Sequence, residues 1–305
     1  MVMSFIKKTT DNIPNKNLKF RLHNHLKGRD EPRSLERVHA SEVTKPDGFC
    51  PRYYALYDKT SLGPQGQWLS TSEKVTFKMG HDLQDSVVNW FADMDLAVGN
   101  WSCLSCDTVH KLMKRPYKCT KCQAKGFKPI EVRFKSTYSD ISCGIDMLVM
   151  LGGTKLIPVE IKTMDKDQFK ALVAPLAEHR IRTSLYLKCI AESSHEFSEQ
   201  VDTDNAKIFY VSKGGYGCAD PDLFKWGLNE KFSPFKEFDI KRDDSILKDL
   251  EVPALVLKEF RAGKSGVPCG ICSTAMTKRA TYCAMKKDCW SGDFPPEVQW
   301  KGCAS

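Results

Sequence analysis

Residues 144–162 read GIDMLVMLGGTKLIPVEIK, and this stretch decides the fold. An apolar run is followed by a Gly-Gly-Thr turn signal at residues 152–154 and then by alternating apolar and polar residues. The pattern predicts a β-hairpin with Asp146 opposite Glu160. Because side chains on a strand alternate between faces, Glu160 and Lys162 share one face. We therefore expect two carboxylates and an ammonium group to converge on one small volume.

Two opposed carboxylates about 5 Å apart repel each other unless a cation lies between them. Hard oxygen ligands suit Mg²⁺ or Mn²⁺, which retain waters and bind substrate phosphate oxygens. Such an ion can polarise a phosphodiester and orient a water, while Lys162 stabilises the charge that builds on phosphorus. The alternative interpretation is a surface hairpin whose Glu160–Lys162 pair lies on the solvent face.

The motifs GID (144–146) and VEIK (159–162) resemble the signature of the PD-(D/E)xK nuclease superfamily in its RecB-like form. The resemblance implies an α/β fold with a restriction-endonuclease-like mixed sheet flanked by helices. It also implies metal-dependent hydrolysis of DNA phosphodiesters, with Asp146, Glu160 and Lys162 as the catalytic residues.

Two further elements extend this resemblance. Residues 79–84 (MGHDLQ) are similar to a helical Gly-His element whose histidine is a metal ligand, which points to His81. The carbonyl of Ile161 would complete the Mg²⁺ or Mn²⁺ shell. The family also has a Gln-x-x-x-Tyr element on the helix after the hairpin. Here Arg182 stands in the place of the glutamine and Tyr186 in the place of the tyrosine, and the resemblance implies that both contact DNA.

A second resemblance concerns residues 49–54 (FCPRYY), which look like the start of RecB-like iron–sulfur nucleases. That group includes AddB-type nucleases and CRISPR-associated adaptation exonucleases. One early and three late cysteines there hold a 4Fe–4S cluster that joins the N- and C-terminal parts. The ligands implied here are Cys50, Cys272, Cys283 and Cys289, with Cys269 as the alternate to Cys272. A zinc site made from the four late cysteines alone is the other interpretation, and it leaves Cys50 unexplained.

Four further cysteines form two Cys-x2-Cys pairs separated by 12 residues: Cys103, Cys106, Cys119 and Cys122. This spacing predicts a zinc ion held in a tetrahedron of four thiolates. A site whose ligands are all cysteines is closed, and hence structural. Redox cysteine pairs are the main alternative.

The inserted zinc ribbon, residues 101–128, is strongly basic. Residues 101–130 contain seven Lys or Arg residues and one acidic residue, Asp107. Such a charge favours contact with phosphates, and the basic residues assigned to it are Lys114, Arg115, Lys118 and Lys121. The alternative is that these side chains only keep the ribbon soluble. Four aromatic residues are candidates for stacking on unpaired bases, or else core residues: Tyr53, Tyr54, Trp101 and Tyr117.

The amino-acid composition limits the class of protein to which the chain can belong. The chain has 305 residues, of which 41% are apolar and 28% are charged, so it is globular and neither disordered nor fibrous. The net charge of +8 suits a polyanionic partner. No stretch is long and apolar enough for a membrane span, and no secretory signal is visible. We therefore expect a cytoplasmic protein without membrane contact, in which the 13 cysteines favour metal ligation over disulfides.

Periodicity and composition also predict the organisation of the chain. We expect a basic N-terminal arm (1–45), a nuclease domain (46–292) that contains the zinc ribbon (101–128) and an iron–sulfur segment (265–292), and a tail (293–305). Apolar periodicity predicts helices at 72–97, 166–192 and 243–261, and strands within 129–162 and at 207–211. In the first helix an apolar stripe runs from Leu83 to Met94.

Together these patterns predict a metal-dependent deoxyribonuclease. The resemblance favours an exonuclease or end-processing enzyme acting on single-stranded DNA or free ends, in DNA repair or recombination, with a helicase or recombination protein as a compatible partner. The alternative function is a non-catalytic nucleic-acid-binding protein with structural zinc and iron–sulfur sites. A redox sensor is a third hypothesis. The sequence has no Walker-type phosphate loop, which argues against ATP-driven unwinding by this chain.

Overall fold

The computed structural model describes residues 18–27, 35–60, 69–215 and 217–290. Its helices are α1 (Leu18–Lys27), α2 (Ala40–Val43), α3 (Pro51–Thr60), α4 (Thr71–Asp93), α5 (Lys166–Ala171), α6 (Ala177–Ala191), α7 (Pro221–Lys225), α8 (Asp244–Arg261), α9 (Lys278–Thr281) and α10 (Lys286–Trp290). Its strands are β1 (Val38–His39), β2 (Ala97–Cys103), β3 (Val109–Lys114), β4 (Phe127–Ile130), β5 (Val132–Lys135), β6 (Ile141–Ile145), β7 (Met147–Val149), β8 (Ile157–Met164), β9 (Asn205–Ser212), β10 (Cys218–Ala219), β11 (Phe232–Ser233) and β12 (Phe235–Lys241). The predicted tail, 293–305, lies outside the described residues.

A mixed seven-stranded sheet forms the centre of the fold. Its order is β12-β9-β8-β7-β2-β3, and β4 also pairs with β2. The β8–β9 pair is parallel, whereas the other pairs of this sheet are antiparallel. A three-stranded sheet, β1-β6-β5, lies beside it, and β10 pairs with β11. The predicted α/β class, a mixed sheet flanked by helices, is confirmed.

Helices α4 and α6 both contact this sheet. Val159 and Ile161 of β8 belong to the same buried cluster as Val87 of α4. Because side chains alternate along a strand, Glu160 and Lys162 lie on the opposite face of β8 from Val159 and Ile161, toward α6. The alternation predicted from the sequence thus places the candidate catalytic side chains between the sheet and α6.

Helix α4 begins with a capping box. The Glu73 backbone N–H donates to the Ser70 hydroxyl at 3.2 Å, and the Ser70 backbone N–H donates to the Glu73 carboxylate at 2.8 Å. The helix ends at Asp93, four residues before the predicted end, because Asp95 adopts a left-handed φ of 64° and the chain turns into β2. Met94, predicted to complete the apolar stripe, is therefore exposed.

Other differences from the predicted elements have local causes. The helix predicted over 166–192 is two helices, α5 and α6, separated by a segment containing Pro175, whose missing N–H and ring disfavour a helix interior. The last strand, β12, lies where loops were expected. The predicted helix at 243–261 is confirmed as α8, and the Asp243 carboxylate caps it by accepting from the Ser245 N–H at 3.1 Å.

Only parts of the predicted basic arm are described. Helix α1 lies beside the start of α4, where His23 Nδ1 is 3.0 Å from the Thr71 hydroxyl. Residues 1–17 and 28–34 of the arm are outside the described residues. No helix in the described part of the chain has the length and hydrophobicity required to cross a membrane.

Candidate functional site

Asp146 and Glu160 lie opposite each other at the end of the β7–β8 hairpin. Met147 pairs with Val159 in this hairpin, so the next opposed pair is Asp146 and Glu160. Asp146 occupies the bend between β6 and β7, where its Oδ2 accepts a hydrogen bond from the backbone N–H of Ile161 at 2.8 Å. The hairpin and its register, as predicted from the sequence, are confirmed.

Glu160 is a buried carboxylate with one unsatisfied oxygen. Only 4% of the residue is exposed. Its Oε1 accepts a hydrogen bond from the Lys162 ammonium. Its Oε2 is buried and has no hydrogen-bond partner among the described residues. Burying a carboxylate oxygen without a hydrogen-bond partner costs free energy. A bound cation or a proton on this oxygen would offset that cost.

Asp146 shares this environment. Burial raises the pKa of Asp146 well above its usual range, and the negative charge of Glu160 adds to the effect, while Lys162 opposes it. Its Oδ1 accepts a hydrogen bond from the side-chain amide of Gln84, on α4, at 2.8 Å. Two neighbouring carboxylates cannot both remain ionised at low cost unless a positive charge compensates them.

Lys162 supplies part of that positive charge. Burial disfavours its ammonium form, but the carboxylates of Glu160 and Asp146 outweigh burial and raise the pKa of Lys162 above its usual value. The side chain is therefore protonated near neutral pH, when it can donate hydrogen bonds but cannot accept a proton.

Helix α6 brings Arg182 and Tyr186 to the same region. Arg182 Nε donates to the Thr44 hydroxyl at 3.3 Å. Tyr186 is buried, and this burial, together with the charges of Glu160 and Asp146, raises its pKa well above the usual range. The tyrosine hydroxyl therefore remains protonated beside the carboxylates.

His179, which sequence reasoning did not single out, lies close to this group. Its Nδ1 is 2.8 Å from the Tyr210 hydroxyl, which also accepts from the Leu176 N–H at 3.1 Å. Burial lowers the pKa of His179 to about 3, and the charges of Lys162 and Arg182 contribute in the same direction. The imidazole is hence neutral at physiological pH, and its Nδ1 forms a hydrogen bond with the Tyr210 hydroxyl.

Of the predicted metal ligands, His81 is not brought together with the carboxylates. It is exposed on α4, and no hydrogen bond or ion pair connects it to Asp146 or Glu160 within the described ranges. The residue of α4 that contacts Asp146 is Gln84, one turn later. Sequence reasoning missed Gln84, because a single glutamine on a helix carries no motif. The only available signal was its position three residues after His81.

The zinc-ribbon cysteines form a compact group. Their Sγ atoms all lie within 4.8 Å of one another, with 3.5 Å between Cys103 and Cys122 and 3.6 Å between Cys106 and Cys119. A tetrahedron with Zn–S bonds of 2.3 Å requires Sγ atoms about 3.8 Å apart. The donor set and its spacing thus fit a zinc ion held by four thiolates.

The two cysteine pairs are built alike. In each, the residue after the second cysteine has a left-handed conformation: φ is 56° at Asp107 and 62° at Gln123. Their N–H groups donate to the carbonyls of Cys103 and Cys119, each at 2.9 Å. These tight turns aim the thiols inward, so the local chain geometry and the metal-ligand spacing agree.

The basic residues predicted to contact DNA fall into two groups. Lys114 pairs with Asp95 at 2.8 Å, and Arg115 pairs with Asp93. Lys118 and Lys121 are exposed. The two ion pairs of the first group therefore join the ribbon to the end of α4 and the turn after it, whereas the second group faces solvent.

Cys50, Cys272, Cys283 and Cys289 line one pocket. Burial raises the pKa of Cys283, and the thiols of Cys50, Cys289 and Cys272 add to the effect. Within the described ranges, the ribbon cysteines are the one set of potential ligands whose atoms all come within 4.8 Å of each other. The second set is therefore more open than zinc requires. Cys50 lines this pocket, whereas Cys269 does not. Cys269 is disulfide-bonded, contrary to the expectation that the cysteines favour metal ligation over disulfides, so it is not available as the alternate to Cys272. A site made from the four late cysteines is therefore disfavoured.

Arginine side chains also connect the early and late segments around this pocket. Arg52 donates to the carbonyls of Pro268 and Cys289 at 3.4 and 3.5 Å. Arg261 pairs with Asp58 at 2.8 Å. The two ends of the described chain are thus joined by direct contacts as well as by the thiol pocket.

No protein-family model matches this chain, and no curated protein matches it. Among solved structures, an alkaline exonuclease from Laribacter hongkongensis is similar at 14% identity and a TM-score of 0.42, over 75% of this chain and 90% of that chain. Its complex with dAMP gives 15% identity and a TM-score of 0.40 with the same coverage. A phage-related exonuclease from Haemophilus somnus 129PT gives 12% identity and a TM-score of 0.41, over 79% of this chain and 98% of that chain. Because these TM-scores are below 0.5, the function has to be argued from the site's own residues.

Proposed function

We propose that this chain is a divalent-metal-dependent DNA nuclease centred on Asp146, Glu160 and Lys162. The observation that carries the proposal is the buried Glu160 Oε2, which has no partner in the described part of the chain and lies beside a second carboxylate. Without a cation, a proton relieves the repulsion, as the raised pKa of Asp146 indicates. Two carboxylates are hard oxygen donors of the kind that Mg²⁺ and Mn²⁺ prefer.

In this proposal Asp146 and Glu160 hold the Mg²⁺ or Mn²⁺ ion. The resemblance to PD-(D/E)xK nucleases adds the Ile161 carbonyl as a further ligand. It also points to His81, which is exposed on α4 and contacts neither carboxylate within the described ranges, so its ligation would require the side chain to move. The Gln84 amide donates a hydrogen bond to Oδ1 of Asp146. This bond fixes the orientation of the carboxylate, and with it the oxygen lone pairs that would bind the ion. When bound, the ion would polarise a phosphodiester and favour ionisation of a nearby water.

Three further side chains would contact the DNA: Lys162, Arg182 and Tyr186. Lys162 is protonated, so it can donate to a phosphate oxygen and stabilise the negative charge that builds there. Arg182, held by Thr44, adds a second positive charge at the same face. Tyr186 has a protonated hydroxyl next to the carboxylates and can donate a hydrogen bond to DNA.

Two further cofactors complete the proposal. The compact cysteine group of the ribbon holds a structural zinc ion: Cys103, Cys106, Cys119 and Cys122. The more open group holds a 4Fe–4S cluster: Cys50, Cys272, Cys283 and Cys289. Thiolate ligands are expected for both zinc and the 4Fe–4S cluster. Only the spacing of the sulfur atoms distinguishes which group holds which cofactor.

The proposed substrate is DNA with single-stranded regions or free ends. The net charge of +8 and the basic ribbon suit a polyphosphate. Exonuclease or end-processing activity, a place in repair or recombination, and a helicase or recombination partner are carried over from the resemblance to RecB-like nucleases.

Cleavage assays on the full chain test the proposal. Linear and circular DNA, each single- and double-stranded, would be incubated with Mn²⁺ and the wild type, Glu160→Gln or Lys162→Ala. We expect cleavage by the wild type and a loss of about 10²- to 10³-fold in both variants, since Glu160→Gln weakens the metal site and Lys162→Ala removes a positive charge at the reacting phosphate.

Glu237→Gln is the matched control, because Glu237 is an exposed carboxylate that pairs with Lys207 on the outer strands. It should cleave like the wild type. If the wild type binds but never cuts any of the four DNA forms, the non-catalytic nucleic-acid-binding function replaces the nuclease.

A further inference from the structure

The ion pairs of the zinc ribbon show which of its cations are available to a ligand. Lys114 and Arg115 are neutralised locally by Asp95 and Asp93, at the end of α4. Arg115 also approaches the Asn89 side chain at 3.4 Å. These contacts hold the ribbon against α4, so the outward-facing charge comes from other lysines of the ribbon.

Tyr117 stands among these other lysines. Its side chain is an unusually open aromatic, 75% exposed. The Lys125 ammonium donates to the Tyr117 hydroxyl at 3.0 Å and lies 4.7 Å from the ring centroid. The Lys118 ammonium lies 5.9 Å from the same centroid. Lys121 is exposed on the neighbouring turn. A flat aromatic surface with ammonium groups around it is the combination that single-stranded nucleic acid binds.

An open pocket lies beside this ring. Its volume is about 410 Å³, and Tyr117, Lys125, Arg115 and the carboxylates of Asp93 and Asp95 line it. This volume falls in the range of ordinary ligand pockets, roughly 300–1,000 Å³. The aromatic wall suits the face of a base, while the carboxylates and cations offer acceptors and donors to its edge.

The pocket also lies within reach of the carboxylate centre. Gln84 contacts Asp146, and Asp93 lines the pocket, nine residues further along the same helix. At about 1.5 Å per residue, the two points are roughly 14 Å apart. With a rise of about 3.4 Å per nucleotide along a stacked strand, this span corresponds to about four nucleotides.

We propose that Tyr117 and the lysines around it form a single-stranded DNA site, in which an unpaired base stacks on Tyr117 and enters the adjoining pocket. Lys118, Lys121 and Lys125 contact the flanking phosphates. The inference deepens the proposed nuclease function: it assigns the ribbon to holding an unpaired strand about four nucleotides from the cleavage centre.

Binding measurements without cleavage test this site. The full chain carrying Glu160→Gln would be titrated against fluorescent oligo-dT and against a blunt duplex of equal length. Tyr117→Ala should weaken oligo-dT binding about tenfold and leave duplex binding within about twofold, whereas Tyr117→Phe, which keeps the ring, should bind oligo-dT normally. Lys121→Ala should reduce the salt dependence of oligo-dT binding by about 0.7 in the log–log slope.

Tyr138→Ala is the matched control, because Tyr138 is also exposed but lies in the turn between β5 and β6. Zinc content, measured for each variant, shows that the ribbon is intact. Equal losses for Tyr117→Ala and Tyr138→Ala, equal losses on single strand and duplex, or a Tyr117→Phe variant as weak as the alanine would overturn the site. A wild type that never cleaves would remove the nuclease proposal but not this result, since binding is read separately.

Discussion

The two four-cysteine groups use the same side chain at very different chain separations. The ribbon group spans 20 residues and gathers its Sγ atoms within 4.8 Å. The group of Cys50, Cys272, Cys283 and Cys289 spans 240 residues and is more open. A ligand in the first group orders one short loop. A ligand in the second closes a loop that includes most of the fold, so the two should stabilise different parts of the molecule.

The largest effect is expected from the long-range group. Cys283→Ser should abolish iron binding and lower the free energy of unfolding by about 5 kcal/mol, because the loop that the cluster closes becomes open. Iron content and chemical denaturation of anaerobically purified protein measure both quantities. Cys218→Ser is the control, since Cys218 belongs to neither group. An unchanged unfolding midpoint in Cys283→Ser would show that the cluster does not hold the chain ends together.

A smaller and local effect is expected from the ribbon. Cys119→Ser should release zinc and unfold residues around β3, an edge strand, while the free energy of unfolding of β8 and β9 stays within about 1 kcal/mol. Zinc analysis and amide hydrogen exchange separate the two regions. Loss of protection in β8 and β9 would contradict the contrast between the two groups.

The smallest effect concerns the left-handed turn at Gln123. Glycine tolerates a φ of 62° without a Cβ clash, so Gln123→Gly should improve zinc retention by less than about 1 kcal/mol. Gln123→Ala is the matched control and should not improve it. Competition with a zinc chelator ranks the variants. If glycine and alanine behave alike, the backbone strain of this turn is too small to matter for the site.

The local patterns in the sequence were the ones that predicted structure well. The Gly-Gly turn and the period of two placed Asp146 opposite Glu160, and the Cys-x2-Cys spacing gathered the ribbon thiols. Both depend on neighbours within about 20 residues, where chain geometry leaves few choices.

The parts that sequence reasoning missed depend on contacts between distant segments. Gln84 meets Asp146 only because α4 packs against the sheet, and its position three residues after His81 was the one signal for that contact in the sequence. The ion-pair partners of Lys114 and Arg115 likewise come from another element, the end of α4 and the turn after it. The break between α5 and α6 is different, because Pro175 was visible in the sequence. The helix prediction over 166–192 followed the apolar periodicity and gave this proline too little weight.

Cys103 pairs with Phe127, so the two ends of the segment between them are already neighbours. This segment contains the cysteine turns and the edge strand β3, so a two-residue turn could replace it with the loss of that edge strand and no change in the order of the other strands. The ribbon is therefore a detachable accessory in the topological sense. A protein lineage could acquire it, lose it or exchange it for another attachment while the carboxylate centre kept its connections.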